Sequence, residues 1–426
     1  DIPDPFGARG SYAEHFTALI EAEVAQLQIP IRMESTTALY ESGAFDPYIT
    51  QVLEDVERAR DVLGRFQDRV DDSYVPFNAV CQSCGKITET IDAVDVDART
   101  VTYRCTDLQI GDTTMAGCGD SATIPFRAGK LPWRFEWPAE WDLLGVDFEP
   151  FGKDHAEGSW PSGVAIARAI YDIDVPVPMV YEWLTLDGAP MSSSAGNVIT
   201  VDELLGMIEP EVFRYFFAQS PQRARDLQVG RLDQLVDAFD RFESAYFEPI
   251  GDAAVDAFAA SAYPHVVEAV DPGVIRLPYT FAAVLGMTDD LELRREMARS
   301  QGYFDESTDP ARIERAMRRV EHARHWAQRM GNAYDYRLQP DLPTVQLDPA
   351  VTDALTAVAE VVDEGADGEA IQTALYDAAR GNGVEVSAVF AAGYRLFFGQ
   401  PQGPRLGEFL GELDAEFVAA RLRQQR

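Results

Sequence analysis

The sequence predicts a layered α/β domain, interrupted by a small cysteine-bearing β module and followed by a long all-helical region. Three observations predict it. The chain opens on a helical pattern, an alternating Ile29-x-Ile31-x-Met33 and a second long helical pattern, an order that suits part of an α/β layer. All four cysteines fall between positions 81 and 118, among short β-like pieces. Beyond residue 202 nearly every stretch repeats its apolar residues at helical spacing, with loop punctuation near 270–275 and 338–348.

Residues 11–28 read as a helix. Ser11 and Glu14 have the spacing of a capping box, and Phe16, Leu19, Ile20, Val24 and Leu27 share one face. Ile29, Ile31 and Met33 alternate and predict a strand. A second helical face runs from Phe45 through Ile49, Val52, Leu53, Val56, Val62 and Leu63 to Phe66. Residues 76–126 change character, with β-like pieces such as "TVTYRC". The α/β pattern returns from 127 to about 200, where "VDFEPFG" reads as a strand entering a loop. "YEWLTLDG" alternates and ends in Asp187-Gly188, a tight-turn signal.

Composition sets bounds. The 426 residues suffice for two to four domains, and 46% hydrophobic content supplies their cores. No apolar run reaches the roughly 18 residues that span a bilayer, so no membrane association is expected. The formal charge is −35, and only Lys86, Lys130 and Lys153 among the 36 basic residues are lysines. Such acidity implies a solvated, self-repelling surface, suited to a cytoplasm of high salt, where screening acts over about 3 Å near 1 M. The competing explanation is a surface that avoids nucleic acid. A chain this acidic that binds RNA must concentrate its arginines locally.

Cys81-x-x-Cys84 followed by Gly85, with Cys105 and Cys118 further on, has the spacing of a four-thiolate zinc site. Four thiolates leave no open coordination position, so such a metal is structural. Disulfides or unlinked thiols are the alternative.

"CQSCG", "GKLPWRFEWPAEW", "EPFGKDH", "YEWLTLDG" and "MSSSAGN" occur in this order, and with them the chain resembles class I lysyl-tRNA synthetase of the mostly archaeal type. The likeness runs from "PDPFGARGSYAEHF" to "GPRLGEFLGELDAEFV". It implies a Rossmann-type class I catalytic domain with a zinc-binding insertion, followed by an all-α anticodon-binding region. In this chain it implies 1–75 as the remainder of the first catalytic half with connecting helices, and 76–126 as the insertion. It further implies 127–205 as the second catalytic half, 206–270 as a stem-contact helical region and 271–426 as the anticodon-binding domain. It implies a cytoplasmic enzyme that uses ATP and Mg²⁺ to activate L-lysine as lysyl-adenylate and transfers it to tRNA(Lys). The family's His-x-Gly-His/Asn motif has no counterpart, since none of the five histidines has Gly two residues on. The family's N-terminal segment is therefore read as absent before Asp1, and this chain alone is expected to be inactive. The rival readings are a catalytically dead tRNA-binding paralogue and a zinc-containing interaction module without small-molecule chemistry.

The site residues follow the likeness and their own chemistry. Lys153, Asp154 and His155 come just after a strand, where open α/β sheets bind ligands, and Gly152 admits close backbone approach. A lysine ligand needs apolar walls for its stem and a carboxylate or aromatic face for its ammonium. Trp133, His155 and Tyr181 match the family's pocket, Glu136 and Glu182 lie beside them in sequence to supply charge, and Asp154 is a candidate for ribose or amine contact. Trp137 and Trp141, at helical spacing from Trp133, read as a core face. Lys153, Gly152, Gly196 and Asn197 are the expected ATP contacts. In the signature loop Met191, Ser192, Ser193 and Ser194 are expected to hold the phosphates, although Pro190 and Ala195 stand where the family places lysines. That loss is costly unless another cation replaces it. The loop "AEGSW" near Ser159 also departs from the family pattern. In 311–330 the residues Arg312, Arg315 and Arg319 are candidates for tRNA backbone contact, or for pairing with nearby acids.

Overall fold

The computed structural model describes residues 2–68, 70–111, 113–192 and 196–425. The chain divides into two compact units: residues 1–24, 30–185 and 220–225 form the first, and 25–29, 186–219 and 226–426 the second. The division falls at 185/186, inside the segment 127–205 that the sequence suggested as one.

In the first unit the cysteine module and the helices share one core. Phe45, Ile49, Val52, Leu53, Val62 and Leu63 from the helices meet Phe77, Ala79, Val101, Tyr103, Ile124 and Phe126 from the module. The long pattern 45–66 is two helices, Asp46–Glu54 and Val56–Leu63. Asp55 separates them because its side chain accepts the Arg58 N–H and caps the second. The module is built from antiparallel pairings: Ala79 lies opposite Thr88 and Gly129, and strand Thr100–Arg104 pairs with both Ile91–Asp95 and Ser121–Pro125.

Strands Phe148–Gly152 and Val177–Tyr181 run parallel, with Gly152 opposite Tyr181. A crossover containing the helices Lys153–Ala156 and Ser159–Ile166 joins them. A Rossmann-type domain was expected, and this parallel pair is a two-stranded sheet. Parallel strands are ordinarily buried on both faces, yet Phe148 and Val177 are 51% and 64% exposed.

Two expectations at the start of the chain need correction. The first helix forms, over Tyr12–Gln26, and Ser11 caps it by accepting the Glu14 N–H at 3.1 Å. Its carboxylate partner reaches the Gly10 N–H instead of closing a box on Ser11. None of the helix's own residues is buried: of the predicted apolar face Phe16, Leu19 and Ile20 are exposed, and only Leu27, just past the helix end, is buried. Ile29, Ile31 and Met33 form no strand and are also exposed. Alternation alone cannot make a strand, because the backbone N–H and C=O groups need a neighbour to pair with.

In the second unit the strand Leu184–Leu186, which crosses into it, ends in a turn with Asp187 at φ +50° and Gly188 at φ +80°. Both values suit the tight hairpin turn that Asp-Gly predicts. From Leu232 onward the regular structure is helical, as the periodicity predicts. The acidic composition is used at the helix starts: Asp252, Asp290, Asp309, Asp348, Asp367 and Asp414 each accept backbone N–H groups of the turn they begin. A carboxylate there satisfies orphan donors and favours the positive end of the helix dipole. Near the C-terminus, helices Gly368–Gly381 and Leu406–Gly411 approach so closely that a Cβ on Gly407 would lie 2.4 Å from Gln372.

Candidate functional site

Helix Trp133–Leu143 carries three tryptophans along one side. Trp137 and Trp141 are 6% and 2% exposed and pack with Phe151 and Trp160, whereas Trp133, at the first turn, is 45% exposed. Trp133 stacks on Trp137 at 5.3 Å between centroids, and His155 lies 6.1 Å from Trp133 and 5.7 Å from Trp137. These rings form an aromatic wall with one open end.

The carboxyl ends of the two parallel strands meet this wall through His155. Its Nε2 is 3.4 Å from the Asp154 carboxylate. Asp154 folds back over Gly152, where a Cβ would lie 2.5 Å from its Oδ1 and 3.4 Å from the Tyr181 ring. Glycine at 152 therefore serves close packing. Tyr181 is 46% exposed. The next residue, Glu182, accepts a hydrogen bond from Lys153 Nζ at 2.8 Å. Glu182 raises the Lys153 pKa through this hydrogen bond and its charge, so the ammonium is kept at neutral pH.

The structure thus links Trp133, His155, Asp154, Gly152, Lys153, Tyr181 and Glu182 in one chain of contacts, and it corrects Glu136. That carboxylate is 5% exposed. It accepts from Tyr40 Oη at 2.7 Å and Lys130 Nζ at 3.1 Å, inside the core. Glu136 lies one turn beyond Trp133, and Tyr40 and Lys130 engage its carboxylate there. Sequence reasoning missed Arg134, which donates to Gly158 O at 2.8 Å and Ser162 Oγ at 2.6 Å and so holds the "AEGSW" loop. It also missed Glu140: burial first, then the charges of Glu136 and Glu149, push its carboxyl up to about 7. The signal was present as a like-charge i,i+4 pair, Glu136 and Glu140.

The signature loop lies in the second unit. Ser193, Ser194 and Ala195 lie outside the described residues. Ser192 and Asn197 face each other across the loop, with N···O distances of 3.0 and 3.2 Å. Asn197 Nδ2 donates to Pro190 O at 3.0 Å, and Gly196 has φ +69°. The Asn197 N–H, expected to meet a phosphate, is therefore engaged by Ser192 O. Met191 is 38% exposed. The helix that follows starts only at Val201, behind a capping box of Thr200 and Glu203.

The four cysteines converge. Their sulfurs all lie within 4.8 Å of one another, with Cys81–Cys118 at 3.6 Å and Cys84–Cys105 at 3.8 Å. A tetrahedron with Zn–S arms of 2.3 Å has edges of about 3.8 Å, whereas a disulfide needs about 2.05 Å. The site fits a tetrahedral metal and does not fit paired disulfides. Gly85 at φ +73° closes the first loop, and Lys86 Nζ ties the second by donating to Thr106 O and Met115 O, both at 2.8 Å.

Of the arginines on helix Pro310–Met330, Arg319 requires correction as a nucleic-acid contact. It is 2% exposed. Its Nε donates to Glu209 at 2.5 Å, and its other nitrogens donate to Asp240 at 2.6 and 2.8 Å and to Leu277 O. Arg312 and Arg315 are part-exposed and lie 2.9 and 3.6 Å from Asp271. Gly273 leaves room for the Arg312 guanidinium, which a Cβ would meet at 1.8 Å.

Comparison with known proteins agrees with this architecture. The family model described as tRNA synthetases class I (K) matches residues 1–266. A lysine–tRNA ligase of Haloarcula marismortui is 53% identical over all of this chain and 78% of its own length. One from Methanocaldococcus jannaschii is 29% identical over 99% of this chain and 82% of its own. A solved glutamate–tRNA synthetase from Elizabethkingia anophelis aligns at TM-score 0.37 and 10% identity over 99% of this chain and 91% of its own, too weak a likeness to argue from.

Proposed function

The chain belongs to the class I lysyl-tRNA synthetases, and from that premise we propose how it performs lysine–tRNA ligation and which residues take part. The activity is ATP-dependent activation of L-lysine followed by transfer to tRNA(Lys). The observation that carries the assignment of residues is the aromatic wall of Trp133 and His155, joined through Asp154 and Gly152 to Tyr181 and Glu182. The wall receives the methylene stem, and Glu182 receives the ε-ammonium. Holding the substrate in one geometry supplies the entropy that activation needs. Trp133→Ala removes a wall and should cost lysine about 1–3 kcal/mol of binding. Lysine-dependent ATP–pyrophosphate exchange over a lysine titration reads this. An unchanged lysine dependence in the alanine variants of Trp133, His155 and Tyr181 would remove the pocket.

ATP binds with Mg²⁺; the signature loop residues Met191, Ser192, Ser193, Ser194 and Gly196 hold its phosphates, and Lys153 is assigned a cationic contact to ATP. Cys81, Cys84, Cys105 and Cys118 hold one structural Zn²⁺, which fixes the module onto the shared core. Metal analysis of the purified protein should find one zinc per chain, and none would refute the site. Arg312 and Arg315 contact tRNA by exchanging Asp271 for phosphate. The charge of −35 fits a cytoplasm of high salt, and among the described residues no helix is long and apolar enough to cross a membrane.

A further inference from the structure

We propose that Lys153 is an internal stand-in for the substrate: its ammonium occupies on Glu182 the seat of the incoming lysine's ε-ammonium, and the substrate displaces it. The inference rests on reading this neighbourhood as the lysine pocket, and deepens it by assigning how the pocket is kept before the substrate arrives.

Glu182 is the acid of this neighbourhood with an exchangeable partner. Glu136 is committed to Tyr40 and Lys130 in the core, and Asp154 lies 3.4 Å from His155 Nε2. Among the described residues the Glu182 carboxylate meets no side chain except Lys153, at 2.8 Å. The Lys153 side chain is 51% exposed and that of Glu182 24%. Ion pairs that open to water are weakly held and screened by salt, so this one yields to a competitor.

The competitor is chemically the same group, a primary ammonium on a four-carbon stem. The substrate adds what Lys153 lacks, contact of that stem with the wall of Trp133 and His155. The choice of lysine is informative in this chain. All but three of its 36 basic residues are arginine. Lys86 donates to two carbonyls of the cysteine module and Lys130 to Glu136. An arginine at 153 would fork onto Glu182 through two bonds and resist exchange, whereas an ammonium is a point charge that another ammonium replaces.

The exchange conserves charge: one ammonium leaves Glu182 as another arrives. The released Lys153 stands at the carboxyl end of a parallel strand, where anionic ligands bind, and is then available to the phosphates of ATP. Arrival of lysine and release of the cation are one event.

The test compares the full-length protein with Lys153→Met, Lys153→Arg and Glu182→Gln, by calorimetric titration with L-lysine and by pyrophosphate exchange. If Glu182 is free for about a tenth of the time, removing the competitor in Lys153→Met tightens lysine binding about tenfold. The same variant loses exchange rate at saturating lysine, so KM and kcat both fall. Lys153→Arg weakens lysine binding, and Glu182→Gln abolishes it. Norleucine, which lacks the ammonium, gains nothing from Lys153→Met. A folded Lys153→Met variant that binds lysine as weakly as the wild type, or more weakly, overturns the proposal. So does a gain that norleucine shares. A wild type that binds no lysine at all, or a Glu182→Gln variant with full affinity, instead refutes the pocket reading on which the proposal stands.

Discussion

Two helices reverse what their sequences promise. Tyr12–Gln26 carries Phe16, Leu19 and Ile20 on one face, and that face is 39%, 50% and 48% exposed. Pro310–Met330 carries arginines at the spacing of a basic outer face, and its central one, Arg319, is among the largest fully buried side chains. Periodicity states which residues share a face. It does not state what that face meets. In the second unit, Arg319 is surrounded by acids from separate segments: Glu209 ahead of helix Pro210–Ala218, and Asp240 within Leu232–Phe247. Arg276 extends the network to Glu243 and Glu211, and Tyr263 donates to Glu243 at 2.7 Å. The buried Arg319 charge is tolerated because Nε and both terminal nitrogens find acceptors, although Glu209 Oε2 is left without a hydrogen bond.

The largest effect that separates the two helices should come from breaking this network. Arg319→Met leaves Glu209 and Asp240 without their cation and should destabilise the protein by about 3–5 kcal/mol. Urea unfolding measures it, and a loss below about 1 kcal/mol would place Arg319 among ordinary surface residues.

Acid should act on the same network with a definite sign. Burial alone would raise the Glu209 carboxyl, but the charges of Arg319 and Arg276 outweigh it and hold it at about 2, below the ordinary 4.5. A depressed folded pKa contributes stability above the unfolded value and loses it as pH falls through the folded one. Glu209 therefore favours the folded state above pH 4.5 and stops doing so towards pH 2. Asp240 works in the opposite direction: burial, the largest effect on it, pushes its carboxyl up despite Arg319. Glu209 carries the large shift of the two, so it governs the acid limb. Stability followed from pH 5 to pH 2 should fall in the wild type, and Arg319→Met should flatten that fall.

Smaller effects belong to the outward faces. Arg315→Gln removes a part-exposed pair with Asp271 and should change stability by less than about 1 kcal/mol. Weaker tRNA binding at low salt by the same variant, with a shallower salt slope, would support the assigned backbone contact. Smallest of all, Phe16→Ser and Leu19→Ser should each fall within about 0.5 kcal/mol of the wild type, because neither side chain is buried. A loss of 2 kcal/mol or more would mean that in solution this face is covered.

Motif order, the cysteine spacing and the helical register beyond 202 were legible because each depends on neighbours in sequence. Asp187-Gly188 names its turn from two residues, and the acidic caps name their helices from one. Cys81, Cys84, Cys105 and Cys118 were legible as a set because the chain holds no other cysteine. The exchangeable Lys153–Glu182 pair was not legible, although both residues were in view. The two lie 29 positions apart and meet only because strands Phe148–Gly152 and Val177–Tyr181 align Gly152 with Tyr181.

The family and the order of motifs belong to the sequence, since local pattern and side-chain chemistry survive without coordinates. The partners of each charge belong to the fold. Glu136 points into the core and Glu182 meets Lys153, Arg319 lies inside and Phe16 outside, and no spacing distinguishes these outcomes. A side chain's worth depends on whether water or another group meets it, and that is set by which segments, distant in sequence, pack against it.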